Sequence, residues 1–248
     1  MILKIRSRHP SHNGLRRVVK TPHRAVLRLG STTVIDEDMI EINTIDSIKK
    51  SSDKKLMKQA FREYDVPCAI EYSLNDDFDF PVVVKNRWGS RGSGNHLIKT
   101  KDLLDSFVES HDMENYIIEK FYSYNREYRL HISSRDGGIC FYTCRKMLKT
   151  DTPEKERWYR NNSNSVWIME DNPSFDKPNN WDDIVEQSAN ALSSVGLDIG
   201  AIDVRVQSSD KDEPKFIILE TNSAPSFGDI TLLKYKEELP LLINYKSL

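Results

Sequence analysis

Apolar positions fall into short runs separated by polar, glycine- and proline-bearing stretches, and their spacing predicts alternating helices and strands. Two short runs, 2–5 and 25–29, flank a loop containing Pro10, Asn13, Gly14 and Pro22, so residues 1–45 read as a small starting unit. The second run ends in Gly30-Ser31-Thr32-Thr33, a turn or a loop open to phosphate. From Thr44 to Tyr64, Ile45, Ile48, Leu56, Met57, Ala60 and Phe61 form an interrupted amphipathic stripe, which Pro67 closes. A β-branched run, Phe80-Pro-Val-Val-Val-Lys85, then ends in a lysine and opens into a polar loop over 87–94 that is rich in glycine and serine. A strand over 96–98 and a helix over 100–109 with Thr100 as N-cap follow.

The second half continues in the same manner. Residues 116–119 read as a strand, and 128–132 and 139–147 as a hairpin turning at Gly137-Gly138. Residues 150–180 are polar and carry little periodicity, as expected of a long functional loop. Ile184, Val185, Ala189, Leu192 and Val195 recur at helical spacing over 181–195, ended by Gly196. Strands over 199–206 and 215–220 flank a polar turn at 208–213, and a last helix is expected over 232–243. Hairpins beside helices favour an α+β arrangement over a doubly wound parallel sheet. Neither Gly-x-Gly-x-x-Gly after a first strand nor Gly-x-x-x-x-Gly-Lys-[Ser/Thr] is present.

Composition narrows the class. Of the 248 residues, 38% are hydrophobic and 30% charged, no apolar run is long enough to span a bilayer, and the first residues alternate, so a soluble cytoplasmic protein without membrane contact is expected. Cys68, Cys140 and Cys144 have no metal-ligand spacing, and the histidines are scattered, which argues against zinc. The net charge of −2 is uneven: Lys4, Arg6, Arg8, Arg16, Arg17, Lys20, Arg24 and Arg28 precede the first acidic residue, Asp36. Such a segment is either a solvated basic face or an attractor of an anionic partner, such as an acidic peptide. No RNA-binding signature accompanies it, which disfavours nucleic acid.

Three constellations carry chemistry. Asp203 lies in one apolar strand, and Glu220 and Asn222 in the next, where alternation puts the last two on one face. Three hard oxygen ligands suit Mg²⁺, the alternative being structural ion pairs of the carboxylates with Arg205 or a lysine. Lys85 ends a buried strand before a loop whose Ser90, Gly92, Ser93 and Gly94 let backbone N–H groups approach phosphate, unless the loop is an ordinary hairpin turn. The strand ending at Glu119, followed by Lys120 and Phe121, suits a flat purine, and Glu127 a ribose, although individually these residues read as strand-end charges.

In this order the pieces resemble the ATP-grasp superfamily over about residues 50–228. The run ending in Lys85 and its loop look like the phosphate-binding strand and flap, residues 117–121 like the adenine hinge, and Glu127 like the ribose acid. Asp203, Glu220 and Asn222 match the magnesium triad, and Ser52-Asp53-Lys54-Lys55 is similar to an earlier nucleotide-contacting lysine, either Lys54 or Lys55. The likeness is greatest to carboxylate–amine ligases such as ribosomal-protein glutamate ligases and D-alanine–D-alanine ligases. Residues 27–33 resemble small bacteriophage-encoded members, although the amino-terminal unit is shorter than the usual preceding domain.

The resemblance implies an α+β fold whose lobes, about 46–118 and 119–248, clasp MgATP. It implies ligation of a carboxylate to an amine through an acylphosphate, with release of ADP and phosphate, and a homodimer. Arg129, Lys146 and Arg205 are candidates to stabilise the acylphosphate, or structural cations; Arg160, Asn161 and Ser223 would shape the substrate side. The competing readings are a small-molecule kinase of the same fold and a non-catalytic nucleotide- or nucleic-acid-binding protein.

Overall fold

Parallel pairing organises the amino-terminal unit in the computed structural model, which describes residues 3–7, 9–17, 23–35, 38–89, 94–208 and 212–248. Strands β1 (Leu3–Ser7), β2 (Ala25–Leu29) and β3 (Ile40–Ile42) form a three-stranded sheet in that order. Helices α1 (Ile45–Ser52) and α2 (Lys54–Glu63) follow. The sequence predicts one helical stretch here, but the chain breaks at Asp53. Its extended backbone ends α1, and its carboxylate accepts from the N–H groups of Lys55 and Leu56 to cap α2. A side chain that satisfies the orphan donors of a new helix competes with continuation of the old one.

A four-stranded antiparallel sheet comes next. Strands β4 (Glu71–Tyr72), β5 (Val82–Asn86) and β6 (Asn95–Ile98), helix α3 (Lys101–Ser110) and strand β7 (Tyr116–Lys120) assemble in the order β4-β7-β5-β6. Val82, Val84, Ile98 and Ile118 pack on Leu104 and Phe107 of α3. Thr100 caps α3 by accepting from Leu103 N–H.

The remaining chain supplies β8 (Arg126–Ser133), β9 (Ile139–Leu148), β10 (Ser165–Met169), α4 (Trp181–Ser194), β11 (Ile199–Val206), β12 (Phe216–Asn222) and α5 (Asp229–Lys246). Its sheet has the order β10-β9-β8-β11-β12 with every pair antiparallel. The β8–β9 turn needs its glycine: Gly138 has φ 129°, and a Cβ there would lie 2.5 Å from that of Ala189. Two elements depart from the pattern-based expectation. Strand β10 lies in the stretch read as irregular, because a five-residue edge strand leaves no clear periodicity. Helix α5 begins earlier than expected and runs through Pro240.

One face of the five-stranded sheet buries the main core. Tyr128, Leu130, Ile202, Val204 and Ile218 pack on Ile48, Met57 and Phe61 of α1 and α2 and on Ile184 and Leu192 of α4. The helices that precede the small sheet thus belong to the core of the large one, and a boundary after residue 118 falls inside β7. A second core joins Leu3, Ile5, Leu27 and Leu29 to Tyr235, Leu239 and Leu242 of α5. Among the described residues, no helix is long and apolar enough to cross a membrane.

Candidate active site

The other face of the large sheet is charged. Because side chains alternate, Glu127 and Arg129 of β8 share a face, and register brings Arg205 and Lys146 beside Glu127, and Asp203 beside Arg129. Asp203 also stands opposite Glu220 of β12, where a bulge beside Asp203 shifts the register. A bulge re-aims the side chains around it, and Leu219 and Glu220 both face a cleft of about 360 Å³ between the two sheets.

These side chains form a closed network. Arg129 donates to both oxygens of Asp203, from Nε at 2.7 Å and Nη2 at 2.8 Å. Lys146 donates to Asp203 Oδ2 at 2.8 Å and to Glu127 Oε1 at 3.0 Å, and Arg205 to Glu127 Oε2 at 3.0 Å. Burial alone would raise the carboxyls, but Arg129 and Lys146 hold Asp203 well below the usual range, and Lys146 and Arg205 lower Glu127. Burial likewise opposes charge on Lys146, which Asp203 and Glu127 outweigh, so its ammonium is held above its ordinary value.

The small sheet and α2 supply the opposite wall. Lys54, Lys85 and Glu119 line it; Lys85 donates to the buried Glu119, which Lys58 also approaches at 3.3 Å. Lys54 donates to the carbonyl of Gly89 at the start of the glycine loop. Burial lowers the Lys54 ammonium despite opposition from Glu220. Three lysines against one carboxylate leave this wall with an excess of positive charge, which suits a polyphosphate.

A model of the ATP-grasp domain matches residues 48–196, well over half of the chain. The chain belongs to the ATP-grasp family. No curated protein matches its sequence. Solved structures share its fold: D-alanine–D-alanine ligase from Bacillus anthracis is 16% identical with a TM-score of 0.58, covering 84% of this chain and 71% of that one. D-alanyl-alanine synthetase A from Vibrio cholerae is 12% identical at 0.64, covering 91% and 77%. N5-carboxyaminoimidazole synthetase from Staphylococcus aureus, complexed with ADP, is 13% identical at 0.65, covering 90% of this chain and 61% of that one. The chain spans about half the length of another protein of similar fold, an N5-carboxyaminoimidazole synthase from Aspergillus clavatus, 52% of which is covered.

Within this ATP-grasp protein the cleft gathers most of the residues singled out in the sequence: Lys54, Lys85, Glu119, Lys120, Phe121, Glu127, Arg129, Lys146, Arg160, Asn161, Asp203, Arg205, Glu220 and Asn222. It does not gather Lys55, which is exposed, or Gly94, whose left-handed φ of 74° turns the chain against Asn86. Ser223 is buried beside a neighbouring groove. Ser90, Gly92 and Ser93 lie outside the described residues, as do Arg8 and Lys20 of the basic segment. Burial brings Arg160 down to about 10, with Glu127 opposing.

The donor set fits a hard cation. Among the described residues no three His, Cys, Asp or Glu side chains gather as a metal site. Asp203 and Glu220 therefore need the Asn222 amide as third donor. Asn222 Oδ1 accepts from Ala224 N–H at 2.9 Å and keeps a second lone pair, as does Asp203 Oδ1, which accepts from Arg129 Nε, whereas Asp203 Oδ2 accepts from both Arg129 and Lys146. All are oxygen donors, the preference of Mg²⁺.

Several residues in or behind the cleft walls escaped the sequence reading. Lys58 sits one helical turn from Lys54, so its signal was the i, i+4 spacing. Arg87 clamps Asp53 from Nε and Nη2, each at 2.6 Å, and so fixes the corner between α1 and α2 to the loop. His9, Trp158 and Tyr159 line the cleft from segments without periodicity.

Proposed function

We propose that this chain is an ATP-dependent carboxylate–amine ligase. What carries the reading is Asp203, placed opposite both Glu220 and Arg129 on the wall that faces Lys54 and Lys85. A carboxylate oxygen of one substrate attacks the γ-phosphorus of ATP, the bond to the β-phosphate oxygen breaks, and ADP leaves. The amine nitrogen of the second substrate then attacks the acyl carbon, phosphate departs, and the amine proton passes to phosphate or solvent. Phosphoryl transfer asks the protein chiefly for positioning and for positive charge on the equatorial oxygens.

The chain's own residues meet those demands. Lys54 and Lys85 bind phosphate oxygens from the small lobe, and the strand at Glu119, Lys120 and Phe121 receives the purine. On nucleotide binding Lys85 exchanges its hold on Glu119 for phosphate. Arg129, Lys146 and Arg205 are pre-placed by Asp203 and Glu127, so little reorganisation accompanies the build-up of charge on the acylphosphate. Asp203, Glu220 and Asn222 would hold Mg²⁺, whose charge neutralises phosphate oxygens. Arg160 and Asn161 border the acceptor end. Where the carboxylate belongs to a peptide or protein tail, the basic segment would attract acidic residues that flank the reacting one. It brings His9 to the cleft, whereas Arg28 is buried against Glu41 at 2.7 Å, so it favours such a partner less than its charge alone does.

The test is nucleotide analysis during turnover with MgATP and mixtures of amino acids and short peptides. ADP and phosphate released only when a carboxylate and an amine are both present, and lost in Glu220→Ala, are expected. Release of AMP excludes the acylphosphate route, and a stable phosphorylated acceptor makes the protein a kinase.

A further inference from the structure

The charged face of the large sheet passes directly into a second cavity. Along it, Glu127, Arg129 and His131 of β8 stand beside Lys146, Cys144 and Tyr142 of β9, which in turn place Trp167 and Met169 of β10 alongside. The row through Glu127 is charged from Arg205 to Lys146 and ends on Trp167. The row through Arg129 changes from Asp203 and Arg129 to Cys144 and Met169, and the row through His131 holds Ala201 and Tyr142. Thus along β11, β8 and β9 the ionic surface gives way to uncharged side chains at Ala201, His131 and Cys144.

The loop after β12 and the first turn of α5 close the far side. The resulting cavity of about 440 Å³ is lined by Cys144, Trp167, Met169, Phe227 and Ile230 among others, and Arg129 and Ser226 border both it and the nucleotide cleft. Trp167 and Ile230 remain 37% and 48% exposed, large apolar surfaces left to water. The Arg129 guanidinium lies 5.0 Å from the Trp167 ring. Its Nε and Nη2 bind Asp203, while Nη1 has no hydrogen bond among the described residues. The cavity's other charged group is the exposed Asp229 at its rim.

We infer that this second cavity receives the side chain of the carboxylate substrate and selects an aliphatic or aromatic one, with the carboxylate held at Arg129. The assignment of a substrate rests on the ligase reading; the binding itself does not. The volume leaves ample room for a phenyl group, which a cavity of about 150 Å³ already holds. An acidic side chain would lose its hydration beside Asp229 and meet, among the described lining residues, no cation other than Arg129, already paired with Asp203; Lys146, 5.3 Å from the Trp167 ring, is likewise held by Asp203 and Glu127.

The experiment titrates 3-phenylpropanoate and glutarate into the full chain while the Trp167 indole is followed by NMR, with Trp167→Phe assigning its signal. The phenyl acid is expected to bind at least about tenfold tighter and to move that signal. Ile230→Glu should weaken it about tenfold while Ile230→Leu does not. Glutarate binding equally well or better, failure of both acids to bind, or phenyl-acid binding that leaves Trp167 unmoved overturns the inference. Hydroxamate formation from the same acids, with ATP and hydroxylamine as the amine, tests the reaction separately. Binding at Trp167 without any hydroxamate would sink the ligase reading and uphold the cavity.

Discussion

Asp203 of β11 and Arg129 of β8 are direct cross-strand partners, and the guanidinium meets the carboxylate edge-on through two hydrogen bonds. Both are buried, and Lys146 shares the same carboxylate. Removing one partner of a buried ion pair leaves an uncompensated charge and costs about 3–5 kcal/mol. Arg129→Ala should therefore lower the melting temperature by roughly 10 °C, at about 2–4 °C per kcal/mol for a chain of this size. Arg129→Lys keeps the charge but loses the two-point geometry, so its loss should be smaller. Thermal unfolding checks both; an unchanged melting temperature in Arg129→Ala would mean that the pair adds nothing to stability.

His131, two residues further along β8, predicts an acid-sensitive fold. It is buried, its Nδ1 lies 3.2 Å from the Tyr235 hydroxyl, and Arg129 and Asp203 are its charged neighbours. Burial, with Arg129 adding to it, lowers its pKa from 6.5 to about 3. A histidine with a depressed folded pKa is neutral in the fold while the unfolded chain takes up the proton. Its contribution is complete above pH 6.5 and is lost as pH falls towards 3. Between pH 7.5 and 5.5 the loss should be about 1 kcal/mol. Urea unfolding at the two pH values should show a smaller difference in His131→Gln than in wild type. Equal pH dependence in the two proteins would refute the assignment.

The Asp53 junction separates a cap from an ion pair. Its carboxylate caps α2 and clamps Arg87, while Lys54 N–H donates to Arg87 O at 3.0 Å. Asp53→Asn retains a capping oxygen but not the charge, whereas Asp53→Ala loses both. Loss of the cap costs about 1 kcal/mol. Stability should therefore fall in the order wild type, Asn, Ala. ATP affinity, read by calorimetry, should fall in both variants, because the clamp positions Lys54 and the start of the glycine loop. Full ATP affinity in Asp53→Ala would remove the clamp from the nucleotide site.

These contacts mark what the sequence could disclose. Asp203, Glu220 and Asn222 were legible because they sit on successive strands only nine residues apart, where alternation assigns faces and antiparallel pairing brings the strands together. The glycine-loop lysine was legible for a similar local reason. Lys54 could not be separated from Lys55, since the rotation of α2 is set by the Asp53 cap and its Arg87 partner, a contact distant in sequence. The role of Glu119 as counter-ion to Lys58 and Lys85 was hidden for the same reason. The second cavity was wholly illegible: it exists because β10 joins the edge of the sheet and α5 returns over it, and neither pairing leaves a periodic trace.

Gly30 links the amino-terminal unit to the candidate metal strand, and its substitution gives the most direct test of that link. Its φ is 70°, and an added Cβ would lie 2.9 Å from the Cβ of Ala224. Ala224 N–H in turn donates to Asn222 Oδ1 at 2.9 Å. Gly30→Ala thus combines a left-handed backbone, which disfavours a side chain by about 1–2 kcal/mol, with a close contact that pushes on the segment holding Asn222. A fall in melting temperature and weaker Mg²⁺-dependent ATP binding are expected together. Ala224→Gly in the same chain removes the close contact but not the backbone strain. It should restore ATP binding and leave part of the stability loss. If ATP binding stays weak in the double variant, the effect does not travel through Ala224, and the amino-terminal unit does not support the candidate metal site by this contact.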